Sequence, residues 1–199
     1  MMNMLCFKAF ILACLLAALA GCATPPTPTI SFMMGTVADG RGGTGELFVS
    51  ESARTGGGTS IGKVRDAEGR AVGDILTTSP LDTMMLHSFK NEMKSAGYRV
   101  VAGEAVPPAA AKAMEIDKVD LTIDQVRGFT RDEAKCAMGI VIKVYKNGVM
   151  VRKLTYEAKN SDFTVRDRDQ LAQTVFDRSL SSILRQAVPE VIAILEQKP

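Results

Sequence analysis

Residues 136–151 read CAMGIVIKVYKNGVMV and contain the strongest hairpin signal in the sequence. The pair Asn147-Gly148 favours a two-residue type I′ turn, in which both residues have positive φ. Before the turn, apolar side chains alternate with others, which is typical of a strand with one face in the core: Cys136, Met138, Ile140, Ile142 and Val144. The stretch therefore predicts a β-hairpin.

The return strand is out of phase with this turn. Strict pairing places Lys153 opposite Ile142, whereas the apolar set of the return strand begins at Leu154. One extra residue in the strand would bring apolar positions opposite each other again. We therefore expect a β-bulge near Arg152-Lys153.

The chain before the hairpin predicts a further strand and a short helix. Val119, Leu121 and Ile123 alternate with acidic and polar residues, which indicates a strand that runs on towards Phe129. The alanine-rich residues 109–114 follow two prolines and favour a short helix. The strands together predict an antiparallel meander.

A helix is predicted from Ser79 to Gly97. Ser79 suits the N-cap, Pro80 suits the first helical position and Gly97 suits the C-cap. The apolar residues recur at helical spacing: Leu81, Met84, Met85, Phe89, Met93 and Ala96. We expect the methionines to fill the core rather than to line a peptide groove. Residues 98–101 follow as a strand, and a strand before Ser79 would complete a right-handed crossover between parallel neighbours.

A longer helix is predicted from Asp167 or Asp169 to the end of the chain, with a kink at Pro189. Its apolar stripe is the longest in the sequence: Leu171, Val175, Phe176, Leu180, Ile183, Leu184, Ala187, Val191, Ile192 and Leu195. We expect both main helices to pack on one face of a mixed, mainly antiparallel sheet. The predicted fold class is α+β, a two-layer sandwich.

Residues 35–73 contain eleven of the chain's 17 glycines. Short strands are predicted inside this region at residues 46–50 and 59–64, and another before it at residues 29–34. Because glycine is costly to order, we expect the rest of the region to be mobile loop.

Two stretches in this region match the residue pattern of nucleotide-binding motifs but lack the helix that should follow each motif. Residues 40–45 match G-x-G-x-x-G, but a predicted strand follows instead of a helix. Residues 57–63 resemble a P-loop, but Val64 stands where a Mg²⁺-ligating Ser or Thr belongs, and no helix follows. We therefore predict no nucleotide site.

No catalytic or metal-binding constellation is recognisable. His87, the only histidine, lies at the margin of the first helix, and a zinc site would need a second ligand cluster beside Cys136. We expect Cys136 to be a buried core thiol. Three acids lie on the polar side of a strand among basic residues, which favours a solvated face: Asp117, Asp120 and Asp124. Five arginines would form one patch if the fold brings them together: Arg127, Arg131, Arg152, Arg166 and Arg168.

The first residues predict an export signal. Lys8 precedes an apolar run of about a dozen residues, which suits a signal peptide and is shorter than the roughly 20 residues of a membrane span. Residues 19–22, LAGC, end the run and resemble the bacterial lipobox, in which the cysteine is acylated. The alternative is an ordinary signal cut near Gly21, with Cys22 left as a plain thiol.

The lipobox resemblance implies three parts of the chain. Residues 1–21 would be the signal peptide, and residues 22–28 a lipidated cysteine with a proline-rich tether. Residues 29–199 would form a single periplasmic α/β domain, a size that suits one core. Ala23 follows the cysteine and, by the same resemblance, suggests sorting to the outer membrane.

Charge and cysteine content exclude further classes. The chain has 24 Lys and Arg against 22 Asp and Glu, so no basic excess indicates a nucleic-acid partner or a polybasic membrane patch. Of the four cysteines, only Cys136 lies beyond the predicted anchor. We therefore expect no internal disulfide.

Several segments together resemble the YajG-type bacterial lipoproteins: the lipobox, residues 38–41, residues 61–66 and the helix end at residues 96–98. The similarity runs from the signal to the last helix and is best from Ile61 to Tyr98. This family implies an outer-membrane anchor and a periplasmic α/β domain, without an established activity or catalytic residues. Only Cys22, as the lipid anchor, is carried over to this sequence.

We therefore expect a non-enzymatic outer-membrane lipoprotein, held in the membrane by N-terminal acyl chains, whose periplasmic domain binds a protein partner or supports envelope assembly. We expect no cofactor, metal, nucleotide or nucleic acid. Two alternatives stay open. One is an auxiliary lipoprotein of an envelope lipid or solute transport system, and the other is a periplasmic hydrolase with an unrecognised site among His87 and the acids.

Overall fold

The structure of the chain is a computed structural model that describes residues 27–31, 35–51 and 59–197. Within these residues the chain forms one eight-stranded sheet and two α-helices. The strands are β1 (Thr29–Ile30), β2 (Glu46–Glu51), β3 (Ser60–Arg65), β4 (Ala71–Thr77), β5 (Arg99–Gly103), β6 (Lys112–Arg127), β7 (Asp132–Lys146) and β8 (Val149–Thr164). The helices are α1 (Leu81–Ser95) and α2 (Leu171–Glu196), and a 3₁₀ turn (Arg168–Gln170) precedes α2.

Strand β6 is the centre of a branched sheet. On one side it pairs antiparallel with β7, which in turn pairs antiparallel with β8, along almost their whole lengths. On its other side, β6 is shared by two short parallel strands. Phe48 of β2 pairs with Ala113 near its start, and Gly62 of β3 pairs with Ile123 near its end. Strand β5 extends the β2 branch, while β4 and then β1 extend the β3 branch.

This arrangement confirms the predicted α+β class and the mixed sheet, whose long ladders are antiparallel. The sheet is curled and branched, so the predicted two-layer sandwich describes it only in part. Helix α2 contacts β6, β7 and β8, whereas α1 contacts β2 and β5, and the helices touch each other. Their buried side chains belong to one hydrophobic core.

A β-bulge at Asp117 lets one long strand serve both branches. Before the bulge, Met114 and Ile116 are buried. The ladder with β7 then skips Asp117, and the buried positions after it are Val119 and Ile123, which have the opposite parity. One strand thereby keeps its apolar side chains in the core along its whole length.

The short helix predicted at residues 109–114 is wrong. The Ala110 N–H donates to the Pro107 carbonyl at 3.0 Å in a turn, and β6 begins at Lys112. Ala113 is fully buried between partner strands on both sides. Pairing on two sides outweighs the helix preference of alanine, which amounts to only about 0.7 kcal/mol per residue against ordinary residues.

The β7–β8 hairpin has the predicted turn and bulge. Asn147 and Gly148 both have positive φ, at 51° and 74°. Val144 pairs with Arg152, which makes Val151 the extra residue. The bulge therefore lies within one residue of its predicted position.

Helix α1 ends where predicted but is capped differently at its start. Gly97 has a φ of 112°, and the Tyr98 N–H donates to the Met93 carbonyl at 3.1 Å, which completes a Schellman motif. The predicted N-cap at Ser79 is wrong by one residue. Pro80 is the N-cap, because its ψ of 140° is extended while its carbonyl already accepts a helical hydrogen bond.

The predicted crossover around α1 is wrong. Strand β4 precedes the helix and β5 follows it, but β4 pairs antiparallel with β3, whereas β5 pairs in parallel with β2. The two strands therefore lie on different branches and run in opposite directions. The reason is a tight turn at residues 66–70, where the Asp66 carboxylate accepts the backbone N–H of Arg70 at 2.8 Å. This turn folds β4 back onto β3.

Helix α2 begins near the predicted residues, since Asp167 caps the 3₁₀ turn that leads into it. The helix continues past Pro189 to Glu196 and buries one continuous stripe. That stripe confirms the predicted apolar face and includes Phe176, which is fully buried. No helix within the described ranges has the length and apolar character to cross a membrane.

The glycine-rich region contains more regular structure than predicted. Strands β2 and β3 confirm the two predicted strands, and β4 begins inside the region. The strand predicted at residues 29–34 is β1, of two residues, and residues 32–34 lie outside the described residues. Pro28, assigned to the tether, is buried, and its carbonyl accepts the Leu76 N–H at 3.0 Å. The folded domain therefore begins before Thr29.

Candidate interaction surfaces

Residues 40–45 pack against the helices and the start of β5. A Cβ on Gly40 would lie 2.6 Å from Val188 Cγ1, and a Cβ on Gly43 would lie 2.4 Å from Tyr98 Cε2. Strand β2 follows this segment, so no helix N-terminus is available to receive a pyrophosphate. Of the three motif glycines, only Gly40 is closely packed, whereas Gly42 and Gly45 have φ values of 88° and 78° and nothing within 4 Å of an added Cβ.

The P-loop spelling also lacks its structural context. Residues 57 and 58 lie outside the described residues. Lys63 lies on β3 and forms an ion pair with Asp74 of β4. A turn and another strand follow, whereas a P-loop opens a helix.

A buried carboxylate fixes the loop before β2. Glu92 of α1 is 3% exposed, and it accepts the backbone N–H groups of Val37 at 2.6 Å and Ala38 at 3.1 Å. Arg185 of α2 donates from Nε to the Val37 carbonyl at 3.3 Å. Both helices therefore hold the loop, and the predicted mobility is wrong for this part of the region.

A second carboxylate, Glu196, joins four elements at the far end of α2. It accepts hydrogen bonds from the Tyr98 hydroxyl and Lys112 Nζ, each at 2.7 Å, and from the Thr44 N–H at 3.1 Å and hydroxyl at 2.9 Å. Burial alone would raise the pKa of Glu196, but these donors outweigh it and lower the pKa to about 2. Burial and the adjacent carboxylate raise the pKa of Tyr98. The cluster links the end of α2 to β6 and to the loop before β2.

The two candidate catalytic side chains lie apart on different elements. His87 is exposed on α1, with Nδ1 3.2 Å from Asn91 Nδ2. Cys136 on β7 is 2% exposed, and burial raises the pKa of its thiol, although a hydrogen bond with Ser179 opposes this effect. The prediction of a buried core thiol is confirmed. Among the described residues, no group of three potential ligands could hold a metal ion.

The three predicted acids each face a basic side chain, as expected for a solvated face. Lys143 Nζ lies 2.5 Å from Asp117, and this hydrogen bond, with help from Lys153, lowers the pKa of the Asp117 carboxyl. Two further ion pairs complete the set: Asp120 with Lys118 at 2.6 Å and Asp124 with Arg65 at 3.3 Å. Asp117 shares Lys143 with Glu115, whose carboxylate lies 3.7 Å from the same Nζ.

The methionines of α1 confirm their predicted role as core filler. Met84 is 2% exposed, and Met85 and Met93 are fully buried. They leave no methionine-lined groove on this helix.

Four of the five candidate arginines meet at one end of the sheet. We call this the arginine end, formed by residues 126–133 and 163–170. Arg127, Arg166 and Arg168 line a cavity of about 420 Å³ there, together with two aspartates and a glutamine. Arg152 is the exception, because it pairs with Val144 near the opposite end of the hairpin.

Ion pairs occupy two of these arginines. Arg168 Nη1 lies 3.4 Å from the fully buried Asp132 carboxylate, and Arg127 Nη2 lies 3.9 Å from Asp169. Gln125 Nε2, also fully buried, donates to Asp132 at 3.3 Å. These ion pairs and hydrogen bonds link the 3₁₀ turn to the β6–β7 hairpin.

The arginine end also exposes large apolar side chains. Phe129, in the β6–β7 turn, is 97% exposed, and Phe163 and Val165 are 61% and 63% exposed. The Arg131 guanidinium lies over the Phe163 ring, 5.3 Å from its centroid. Exposed aromatic side chains at a hairpin tip indicate an interaction surface. The sequence pattern did not single out Phe129, because its exposure depends on where β6 ends.

A second surface is the free edge of β8. This strand of 16 residues pairs only with β7 among the described residues. Its first three residues, Val149–Val151, are all exposed. A long unpaired edge presents backbone donors and acceptors to another strand.

Comparisons with known proteins support the fold. No family model matches the sequence, and no curated protein matches it significantly. A DUF330-family protein from Xanthomonas campestris shares 14% identity and a TM-score of 0.50, over 83% of this chain and 95% of that protein. A minor lipoprotein from Acinetobacter baumannii shares 11% identity and a TM-score of 0.46, over 77% and 96%. At such low identity, the first likeness shows a shared fold, and the second adds no further conclusion.

Proposed function

We propose that this chain is an outer-membrane lipoprotein, anchored through acylated Cys22, whose non-catalytic periplasmic domain binds an extended segment of a protein partner. The lipobox at residues 19–22 and the resemblance to the YajG-type lipoproteins support the anchor. The free edge of β8 is the single observation that supports the partner-binding role.

An added strand is the natural occupant of this edge. Backbone groups of β8 that point away from β7 would pair with the partner's backbone. The exposed apolar residues Val149–Val151 offer side-chain contacts at the start of the strand. Basic residues further along it, Lys153 and Lys159, discourage indiscriminate pairing and favour a partner segment with acidic side chains.

The polar clusters of the domain are consistent with a role without catalysis. Glu92 and Glu196 are both engaged in hydrogen bonds that hold the glycine-rich loop. The candidate thiol Cys136 is buried and has a raised pKa, the opposite of an activated nucleophile.

Site-specific photo-crosslinking in cells tests the proposal with a matched pair of positions. Thr155 lies on the edge strand β8, whereas Thr122 lies on the central strand β6, and both side chains are exposed. We expect a photo-reactive residue at position 155 to capture a defined protein and the same residue at position 122 to capture none. Equal labelling at both positions would contradict edge pairing.

The identity of the captured protein separates the remaining alternatives. A membrane transporter component would make this chain an auxiliary subunit of a transport system, and an assembly factor would assign it to envelope assembly. The hydrolase alternative predicts activity that is lost in His87→Ala or in an acid-to-amide variant without unfolding. A scan of these positions that changes no measurable hydrolysis would exclude it.

A further inference from the structure

The direction of β1 indicates which end of the domain the N-terminal segment approaches. Strand β1 runs parallel to β4, so both run away from the same side of the sheet, and β1 pairs with Leu76 and Thr77 at the end of β4. Strand β4 begins at Ala71, which pairs with Arg65 at the end of β3, and Arg65 pairs with Val126 near the end of β6. The chain therefore enters β1 from the side of the arginine end.

The length of chain before β1 limits the distance between this side and an anchor at Cys22. Thr27, the first described residue, follows Cys22 by five positions. At about 3.3–3.6 Å per residue, this segment spans roughly 17 Å when fully extended, and roughly 24 Å when counted to Thr29. Thr29 pairs with Leu76, five positions beyond Ala71, so about 17 Å of strand separates it from the level of the arginine end. The opposite end of the β7–β8 hairpin lies further away by the length of a 15-residue strand, about 50 Å at the usual rise.

We infer that the arginine end rests on the phospholipid surface of the anchoring membrane, with Phe129 inserted at the level of the headgroups. The inference rests on the lipid anchor of the proposed function. Phe129 suits this place because it is 97% exposed at a hairpin tip, and Phe is among the apolar side chains that bury at the boundary between headgroups and acyl chains. Phe163 and Val165 extend the apolar contact on the adjoining strand end.

Charges at this end permit the contact but do not drive it. Arg127 and Arg168 face Asp169 and the buried Asp132. Glu133 faces Lys135 and Asp162 faces Arg178, while Asp167 adds another acid at the rim of the cavity. The remaining guanidinium groups, Arg131 and Arg166, are exposed and suit lipid phosphates. Because acids and bases are almost balanced, the apolar side chains supply the attraction, and salt should weaken it little.

A lipid surface fits this end better than a protein partner does. With an anchor at Cys22, the length of chain before β1 reaches only a little beyond the arginine end, which leaves little room for a protein between this end and the bilayer. Val149–Val151, the other exposed apolar group, lies at the opposite end of the hairpin, where a partner in the periplasm can reach it.

Tryptophan fluorescence tests the inference in the full-length acylated protein. The chain has no Trp, so Phe129→Trp and Val149→Trp each introduce a single reporter, one at each end of the long strands. Each variant is reconstituted into liposomes of phosphatidylethanolamine and phosphatidylglycerol with brominated acyl chains, which quench a nearby tryptophan. We expect F129W to show blue-shifted, strongly quenched emission and V149W to remain unquenched.

The outcomes separate this inference from the anchor. Equal quenching of both variants, or none in F129W, would overturn the membrane contact while flotation with the liposomes still supports the anchor. Failure of either variant to float would overturn both. If F129W is unquenched by the lipids but shielded from iodide in native membranes, a protein covers this end and the lipid contact is wrong.

Discussion

Replacing Gly43 with alanine should destabilise the domain. The added Cβ would lie 2.4 Å from Tyr98 Cε2 and 2.5 Å from Cδ2, roughly 1 Å inside normal carbon–carbon contact. The Tyr98 ring is 4% exposed and its hydroxyl is bonded to Glu196 at 2.7 Å, so the ring has little room to retreat. Movement of the loop instead would strain the hydrogen bond from the Gly43 N–H to the Ala96 carbonyl, now 3.0 Å.

The size of the effect follows from opposing contributions. Overpacking of this kind costs about 1–3 kcal/mol. A Tyr98 hydroxyl pushed away from a charged carboxylate would lose a hydrogen bond of about 1.5–3 kcal/mol. Alanine recovers about 0.4–1 kcal/mol by restricting the unfolded chain. Because the strain is relieved through the ring or through the loop, and not through both, we expect a net loss of about 2 kcal/mol.

Urea unfolding followed by far-UV circular dichroism measures this loss, on residues 22–199 with Cys22→Ser. Gly35→Ala is the matched control, because its Cβ would meet nothing within 4 Å and its φ is not positive. We expect this control to be neutral or slightly stabilising. Equal midpoints for the Gly43 and Gly35 variants would refute the close packing of Gly43 against Tyr98.

Three further predictions use the same preparation. The pKa of Glu196 in the folded protein is about 2, below its ordinary value of 4.5. Its hydrogen bonds should therefore stabilise the fold above about pH 4.5 and be lost as the pH falls towards 2. The wild-type urea midpoint should drop more over this range than that of Glu196→Gln, and parallel curves would show that these bonds add no stability. Cys136 is 2% exposed, so a thiol reagent should modify it only at the rate of unfolding, and fast labelling in buffer would show that the β7 face is open. Gly148→Ala should lower the free energy of unfolding by about 1–3 kcal/mol, because Gly148 has a φ of 74° and a Cβ would lie 2.0 Å from the Pro108 carbonyl oxygen. An unchanged urea midpoint would contradict the type I′ geometry.

Local sequence patterns predicted the parts of the fold that depend on local physics. Asn147-Gly148 and the alternation before it specify the hairpin, because positive φ and period-two burial are properties of neighbouring residues. The bulge at Asp117 shows the limit of this reasoning, since it reverses the burial phase of β6. The first three residues of that strand, 112–114, fall within the helix predicted at residues 109–114, because alanine's local preference for helix differs from the paired environment.

Surfaces were harder to predict than elements, because their residues are distant in sequence. Gly43 is required by Tyr98, and no local pattern connects them. The arginines could be named from the sequence, but only the turn after β6 and the connection after β8 bring Arg127 and Arg168 to one cavity. The exposure of Phe129 likewise follows from its place in that turn.

The state of the mature N-terminus decides whether the chain is a lipoprotein. Protein extracted from outer membranes is digested, and its N-terminal peptide is identified by mass spectrometry. We expect a peptide that begins at Cys22 and carries acyl chains on that residue, and we expect a Cys22→Ser variant to leave the membrane fraction. A mature chain with an unmodified cysteine, or one that begins elsewhere, would contradict the lipoprotein assignment and the membrane contact that rests on it.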